Sequence, residues 1–262
     1  MRIELVVSIG LIAAVLGVLW FLLTPGSREE VYKTTEQGQA LIAIVHTPPL
    51  LQPTLGTLVF FHGGGWYTGS PQMVGALGKA LAVKGYRFVA PGYRVHGRDG
   101  TGIEEALDDA RDALAWARQA FSAEEGHPFA IGGASAGGHL ASVVAMEKAN
   151  VPITHLVLLN PVLDLTSATA GAGFSSGELM LIEQLSAARR AELSPLLVLA
   201  TLPQPVLLAY GTADPLWQAY GSVLSAADLR LAVFDGRRHG FFNEPALRSK
   251  VRDLVQEFLE ES

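Results

Sequence analysis

Cysteine is absent from all 262 residues, which excludes disulfides, thiolate metal sites and a cysteine nucleophile. Apolar residues make up 49% and charged residues 17%, the balance of one sizeable folded domain rather than a fibrous or disordered chain. A net charge of −6 and the lack of any basic run argue against a nucleic-acid partner.

The first element is an apolar run from Leu5 to Leu23, uncharged and broken only by Ser8 and two glycines. At 1.5 Å per residue, about 19 residues cover the roughly 30 Å hydrocarbon core of a bilayer. Residues 1–26 are therefore expected to be an uncleaved transmembrane anchor. A cleaved signal peptide competes with that reading, although no clear A-x-A site follows Leu23. Positive charges are nearly balanced across the run, Arg2 and the amino group against Arg28 and Lys33. The expected orientation, N-terminus in the cytosol and catalytic domain outside, is weakly specified. Residues 27–39 are polar and read as a linker.

From residue 40 to the C-terminus, apolar runs alternate with helical patterns. Residues 40–45 read as an edge strand ended by Pro48 and Pro49, and residues 57–61 as a buried strand. A helix near 73–84 and a strand at 87–90 follow. Leu107, Ala110, Leu114 and Ala117 share one face of a helix over 103–121. Further strands are expected at 129–131, 154–159, 206–210 and 231–234, with a last helix over 245–259. Strands alternating with helices imply a mostly parallel sheet covered on both faces. Residues 164–199 break the rhythm with a Gly/Ser/Ala loop and a helical patch. They form either a short cap over the carboxyl ends of the strands or a plain surface excursion.

Two motifs carry chemistry. Gly133-Ala134-Ser135-Ala136-Gly137 follows the strand at 129–131 and precedes a helix-compatible stretch. In that strand–turn–helix context, a serine sits on a strained turn with its hydroxyl exposed, and small neighbours are a steric need. His62-Gly63-Gly64-Gly65-Trp66 follows the strand at 57–61. Glycines there let backbone N–H groups approach a developing oxyanion without a side chain intervening. A Gly-rich turn beside a packing histidine would explain one such motif, but it explains two in this order poorly.

A serine nucleophile needs a base, and the base needs an orienting acid. Among seven histidines, His239 lies on the loop after the last strand, from which it can reach over the sheet edge toward Ser135. Asp214, directly after the strand at 206–210, completes the chain order Ser, Asp, His. Asp235, four residues before His239, is the runner-up; Asp164 is a weaker candidate. Trp66 and Tyr67 are candidate walls of a substrate pocket, with core packing as the alternative. No ligand cluster for a metal or organic cofactor is apparent.

These motifs resemble the α/β-hydrolase superfamily, in its HGGG-motif esterase branch, which includes hormone-sensitive-lipase-like and carbohydrate acetyl esterases. Gly211-Thr212-Ala213-Asp214-Pro215, His239-Gly240-Phe241, Tyr93-Arg94 and residues 109–116 add to the likeness. The resemblance implies an α/β-hydrolase fold with Ser135 as nucleophile, His239 as base and Asp214 as orienter. It also implies an oxyanion hole from Gly63, Gly64 and the N–H of Ala136, with no cofactor. Ala134 replaces the acidic residue often found before the nucleophile, and no room exists for a large N-terminal cap. Those departures favour the carbohydrate and acetyl esterase side, with a small-molecule ester of a short acyl group as substrate. An arylformamidase-like amide hydrolase and an inactive membrane-tethered binding module are the alternatives.

Overall fold

A computed structural model of the protein describes residues 15–20, 22–121, 127–147, 152–166 and 173–261. Its centre is an eight-stranded sheet among the described residues, in the order β1-β2-β4-β3-β5-β6-β7-β8. The strands are β1 (Gly26–Thr34), β2 (Ala40–Thr47), β3 (Gly56–Phe61), β4 (Tyr86–Pro91), β5 (Phe129–Ala134), β6 (Leu156–Leu159), β7 (Val206–Gly211) and β8 (Arg230–Phe234). β1 and β2 run antiparallel to their neighbours, and β4 through β8 pair in parallel. Every residue of β3, β5, β6 and β7 is buried, the continuous apolar pattern of strands covered on both faces.

Helices α1 (Gly75–Val83) and α7 (Arg248–Leu259) cover one face, through Leu77, Leu81, Val251, Val255 and Phe258. The other face packs against α2 (Ile103–Ala120), α3 (Ala136–Met146), α4 (Ser176–Glu183) and α6 (Pro215–Ser225). Leu107, Ala110, Leu114 and Ala117 are all buried on α2, as their spacing predicts. A further short helix, α5 (Ala187–Glu192), follows α4.

The expected linker at 27–39 is corrected: residues 26–34 are β1, the sheet's outer strand, and β2 is the next strand in. Its charged residues reflect a strand that is mostly exposed. Two side chains tie it inward. The Tyr32 hydroxyl donates to the Gly92 carbonyl at 2.6 Å, and Lys33 Nζ donates to buried Asp109 at 2.7 Å. Arg94 holds the same carboxylate with Nε and Nη2, each at 2.8 Å.

Most of the expected transmembrane run, 5–14 and 21, lies outside the described residues. Among the described residues, no helix is long and apolar enough to cross a membrane.

Candidate active site

Ser135 stands between β5 and α3 at φ 55°, ψ −123°, a left-handed conformation rare for a residue with a side chain. The small residues around it are dictated by backbone contact. A Cβ on Gly133 would strike the Gly137 carbonyl, and one on Gly137 would strike the carbonyls of Phe61 and His62. Strand β5 therefore enters the turn, and α3 leaves it, pressed against the loop that follows β3.

His239 lies beyond β8. Its Nε2 is 2.9 Å from Ser135 Oγ, and its Nδ1 is 2.9 Å from Asp214 Oδ2. Asp214 is fully buried and also caps α6, where its Oδ1 accepts the Leu216 N–H at 3.0 Å and Pro215 opens the helix. One side chain thus fixes both a helix start and the imidazole. The network sets the tautomer: Nδ1–H donates to the carboxylate, leaving the Nε2 lone pair for the serine hydroxyl. Asp235 instead accepts from the Thr212 hydroxyl at 3.1 Å, on the surface. Asp164 is hydrogen-bonded to Thr166 and Ser194, away from the imidazole.

The Gly loop passes beside the serine. A Cβ on Gly63 would lie 3.3 Å from Ser135 Cβ, and Gly64 adopts φ 122°, open only to glycine without strain. Among the described residues, the amides of Gly63, Gly64 and Ala136 donate to no backbone carbonyl in the loop network. Ala136 is the first residue of α3, where helix geometry leaves N–H groups unpaired. His62 supports this loop from below. Its Nδ1–H donates to the Gly63 carbonyl at 2.7 Å, and its ring stacks on Tyr93 at 4.2 Å, 9° from parallel. Tyr93 in turn donates to the His62 carbonyl at 2.9 Å. Complete burial pushes the His62 imidazole down to about 4, so it is neutral near pH 7.

Trp66 is a correction to the sequence reading. It is fully buried at φ 56° and meets the His139 ring edge-on at 5.1 Å, within the core rather than on the site wall. A large ring directly after the glycines is drawn into the space between the loop and α3. Tyr67, 40% exposed, does line the cavity over Ser135.

Two cavities meet at the serine. One, of about 360 Å³, is lined by Gly63–Gly65, Tyr67, Met73, Phe242 and Glu178 among others. The second, of about 250 Å³, lies toward Phe174, Pro215 and Leu216. Gly173, Phe174, Ser175 and Glu178, from the described part of the 164–199 segment, line these cavities. Leu181, Ile182 and Leu193 anchor that segment in the core, and His139 Nε2–H donates to the Leu193 carbonyl at 2.8 Å. Sequence reasoning missed two residues here, Asn160 and Glu178. Asn160 follows β6 at φ 38° and sets its Nδ2 3.0 and 3.1 Å from the two ring nitrogens of His239. An asparagine directly after a strand beside the nucleophile turn was the available signal for the first. For Glu178 there was none.

Known proteins resemble this chain in sequence and in fold. It is 32% identical over 218 residues to the carboxylic ester hydrolase LipN of Mycobacterium tuberculosis, covering 71% of this chain and 57% of that protein. It is 30% identical over 138 residues to the carboxylesterase NlhH of the same species, covering 49% of this chain and 43% of that protein. The chain thus spans about half the length of the curated relatives it matches. The propionate-bound thermophilic esterase Est2 of Thermogutta terrifontis superposes with a TM-score of 0.72 at 29% identity, over 90% of this chain and 94% of that one. The same esterase phosphonylated by sarin superposes with a TM-score of 0.73 at 26% identity, over 90% of this chain and 95% of that one. A family model for the alpha/beta hydrolase fold matches residues 58–243, spanning the Gly loop, the serine turn and the histidine loop, and the chain belongs to that family.

Proposed function

We propose that the protein is a serine esterase that hydrolyses short-acyl carboxylic esters, acetylated sugars among them, through an acyl-enzyme. The observation that carries this reading is the unbroken contact chain Ser135–His239–Asp214 beside backbone amides that, among the described residues, donate to no backbone carbonyl. His239 Nε2 takes the hydroxyl proton as Ser135 Oγ attacks the acyl carbon. The amides of Gly63, Gly64 and Ala136 hold the oxyanion; removing one such donor typically costs about a hundredfold or more in rate. The proton passes to the departing alcohol, leaving the acyl group on Ser135. Water then attacks with His239 as base, the acid departs, and the proton returns to the serine. Asp214 accepts from Nδ1–H throughout and holds the imidazolium.

The two partly open cavities of about 360 and 250 Å³ that meet at Ser135 support a short acyl group. The esterase names of the relatives support ester over amide hydrolysis. Turnover of p-nitrophenyl acetate, butyrate and octanoate, beside Ser135→Ala, tests the reading. Acetate turnover that vanishes in the variant is expected. Turnover indifferent to the substitution refutes it and favours a binding module, and preference for octanoate refutes the short-acyl claim. Activity confined to N-formyl arylamides moves the assignment to a formamidase.

The run Leu5 to Leu23 supports attachment to a membrane with the catalytic domain outside the cytoplasm, secretion after cleavage being the alternative. Carbonate-washed membranes retaining the full-length chain are expected, and a chain recovered only from the medium and shortened by about 23 residues would overturn the anchor.

A further inference from the structure

Glu178 opens onto both cavities at Ser135. It is half-buried at the third position of α4, where its Oε2 accepts the Ser175 N–H at 2.7 Å and Ser175 Oγ accepts the Glu178 N–H at 3.3 Å. Among the described residues its Oε1 has neither a hydrogen-bond donor nor a cation. That oxygen lies against Gly65, where any side chain would collide with the carboxylate. Among the described residues no lysine or arginine lines either cavity; the other carboxylate there, Asp214, is engaged by His239 and the Leu216 amide. Tyr67, Phe174 and Phe242 supply aromatic surface on both sides.

A carboxylate with a free oxygen among aromatic rings is the chemistry that receives an ammonium group and repels an anion. Resting on the esterase reading, we infer that Glu178 is a specificity-determining residue that selects esters bearing a quaternary or primary ammonium group over neutral ones, and neutral over anionic ones. Because Glu178 borders both cavities, the selection applies to charge on the acyl or the alcohol side. The helix N-cap keeps the carboxylate in place without neutralising it.

The test compares kcat/KM for three thioesters of matched size: acetylthiocholine, its neutral isostere S-(3,3-dimethylbutyl) thioacetate, and anionic S-acetyl-3-mercaptopropionate. Glu178→Gln retains an acceptor for the Ser175 amide, so the helix cap survives while the charge is lost. The wild type is expected to rank cationic above neutral above anionic. In the variant the cationic-to-neutral ratio should fall about three- to tenfold, and the anionic-to-neutral ratio should rise. Wild-type selectivity should also collapse toward one at about 1 M salt, where the Debye length is about 3 Å, a readout that stands if the variant fails to fold. Ratios unmoved by substitution and by salt in an active enzyme overturn this inference alone. A wild type inert toward all three but active on p-nitrophenyl acetate also overturns this inference alone, and one inert toward p-nitrophenyl acetate as well overturns the esterase reading with it.

Discussion

The Asn160 amide lies on the face of the His239 imidazole: its Nδ2 is 3.0 Å from Nδ1 and 3.1 Å from Nε2. A nitrogen so nearly equidistant from both ring nitrogens would overlap the carbon between them if it were in the ring plane. It must sit above that plane, leaving the in-plane directions to Asp214 and Ser135. Asn160 is itself fixed, fully buried with its N–H donating to the Ala209 carbonyl at 2.7 Å. The imidazole is thus gripped at both edges and on one face.

Removing that facial contact should loosen the ring. Asn160→Gly tolerates φ 38°, whereas Ala would add backbone strain. A fall in the acylation rate of about two- to fivefold is expected, the equivalent of one weak N–H contact to a ring face. Stopped-flow acylation with p-nitrophenyl acetate reads it. An acylation rate equal to the wild type removes Asn160 from the positioning of His239.

Asp214 performs two jobs that substitution can separate. Asparagine caps helices as well as aspartate does, so Asp214→Asn should leave α6 and the melting temperature nearly intact. Catalysis should drop about 10⁴-fold, because the amide no longer enforces the productive tautomer or balances the imidazolium. Paired thermal melts and kcat/KM values check this. A variant that loses stability and activity together would make Asp214 chiefly structural.

The two glycines of the loop should differ in tolerance. At Gly64, φ is 122° and a Cβ would collide with the Thr68 carbonyl; at Gly63, a Cβ meets its nearest neighbours at 3.3 Å. Gly64→Ala should therefore lower kcat about 10²- to 10³-fold by displacing an oxyanion donor. Gly63→Ala should be milder by about an order of magnitude, since a few tenths of an ångström relieves it. The reverse order of activities, measured on p-nitrophenyl acetate, contradicts this placement of the donors.

Acid should destabilise the fold through its buried histidines. Burial pushes His62 and His139 each down to about 4, against about 6.5 in the unfolded chain. The neutral forms therefore stabilise the fold fully above about pH 6.5, and that stabilisation is lost as pH falls toward 4. Each contributes at most on the order of 3 kcal/mol across that window. Urea unfolding between pH 7 and 4.5 should show falling stability. The slope should be shallower in His139→Gln, which keeps a donor for the Leu193 carbonyl. An identical slope in that variant rules His139 out as a source.

The strand–helix alternation from residue 40 onward was legible because β3, β5, β6 and β7 are buried on both faces and leave continuous apolar runs. β1 was not. An exposed outer strand carries charged residues, and its membership depends on Tyr32 and Lys33 meeting Gly92 and Asp109, some 60 and 76 residues away in sequence. That Ser135, Asp214 and His239 come into contact was legible because a strained turn, a helix start and a loop after a strand each require particular residue types locally.

By itself the sequence determined the fold class, the Ser135 turn and the Gly loop, since backbone crowding at Gly133, Gly137 and Gly64 admits no other residue. Only the tertiary structure decided that Trp66 turns into the core, that residues 173–178 line the cavities at Ser135, and that Asn160 meets the His239 ring. Those outcomes depend on contacts between elements far apart in the chain, and no local pattern encodes which way a side chain turns when two such elements meet.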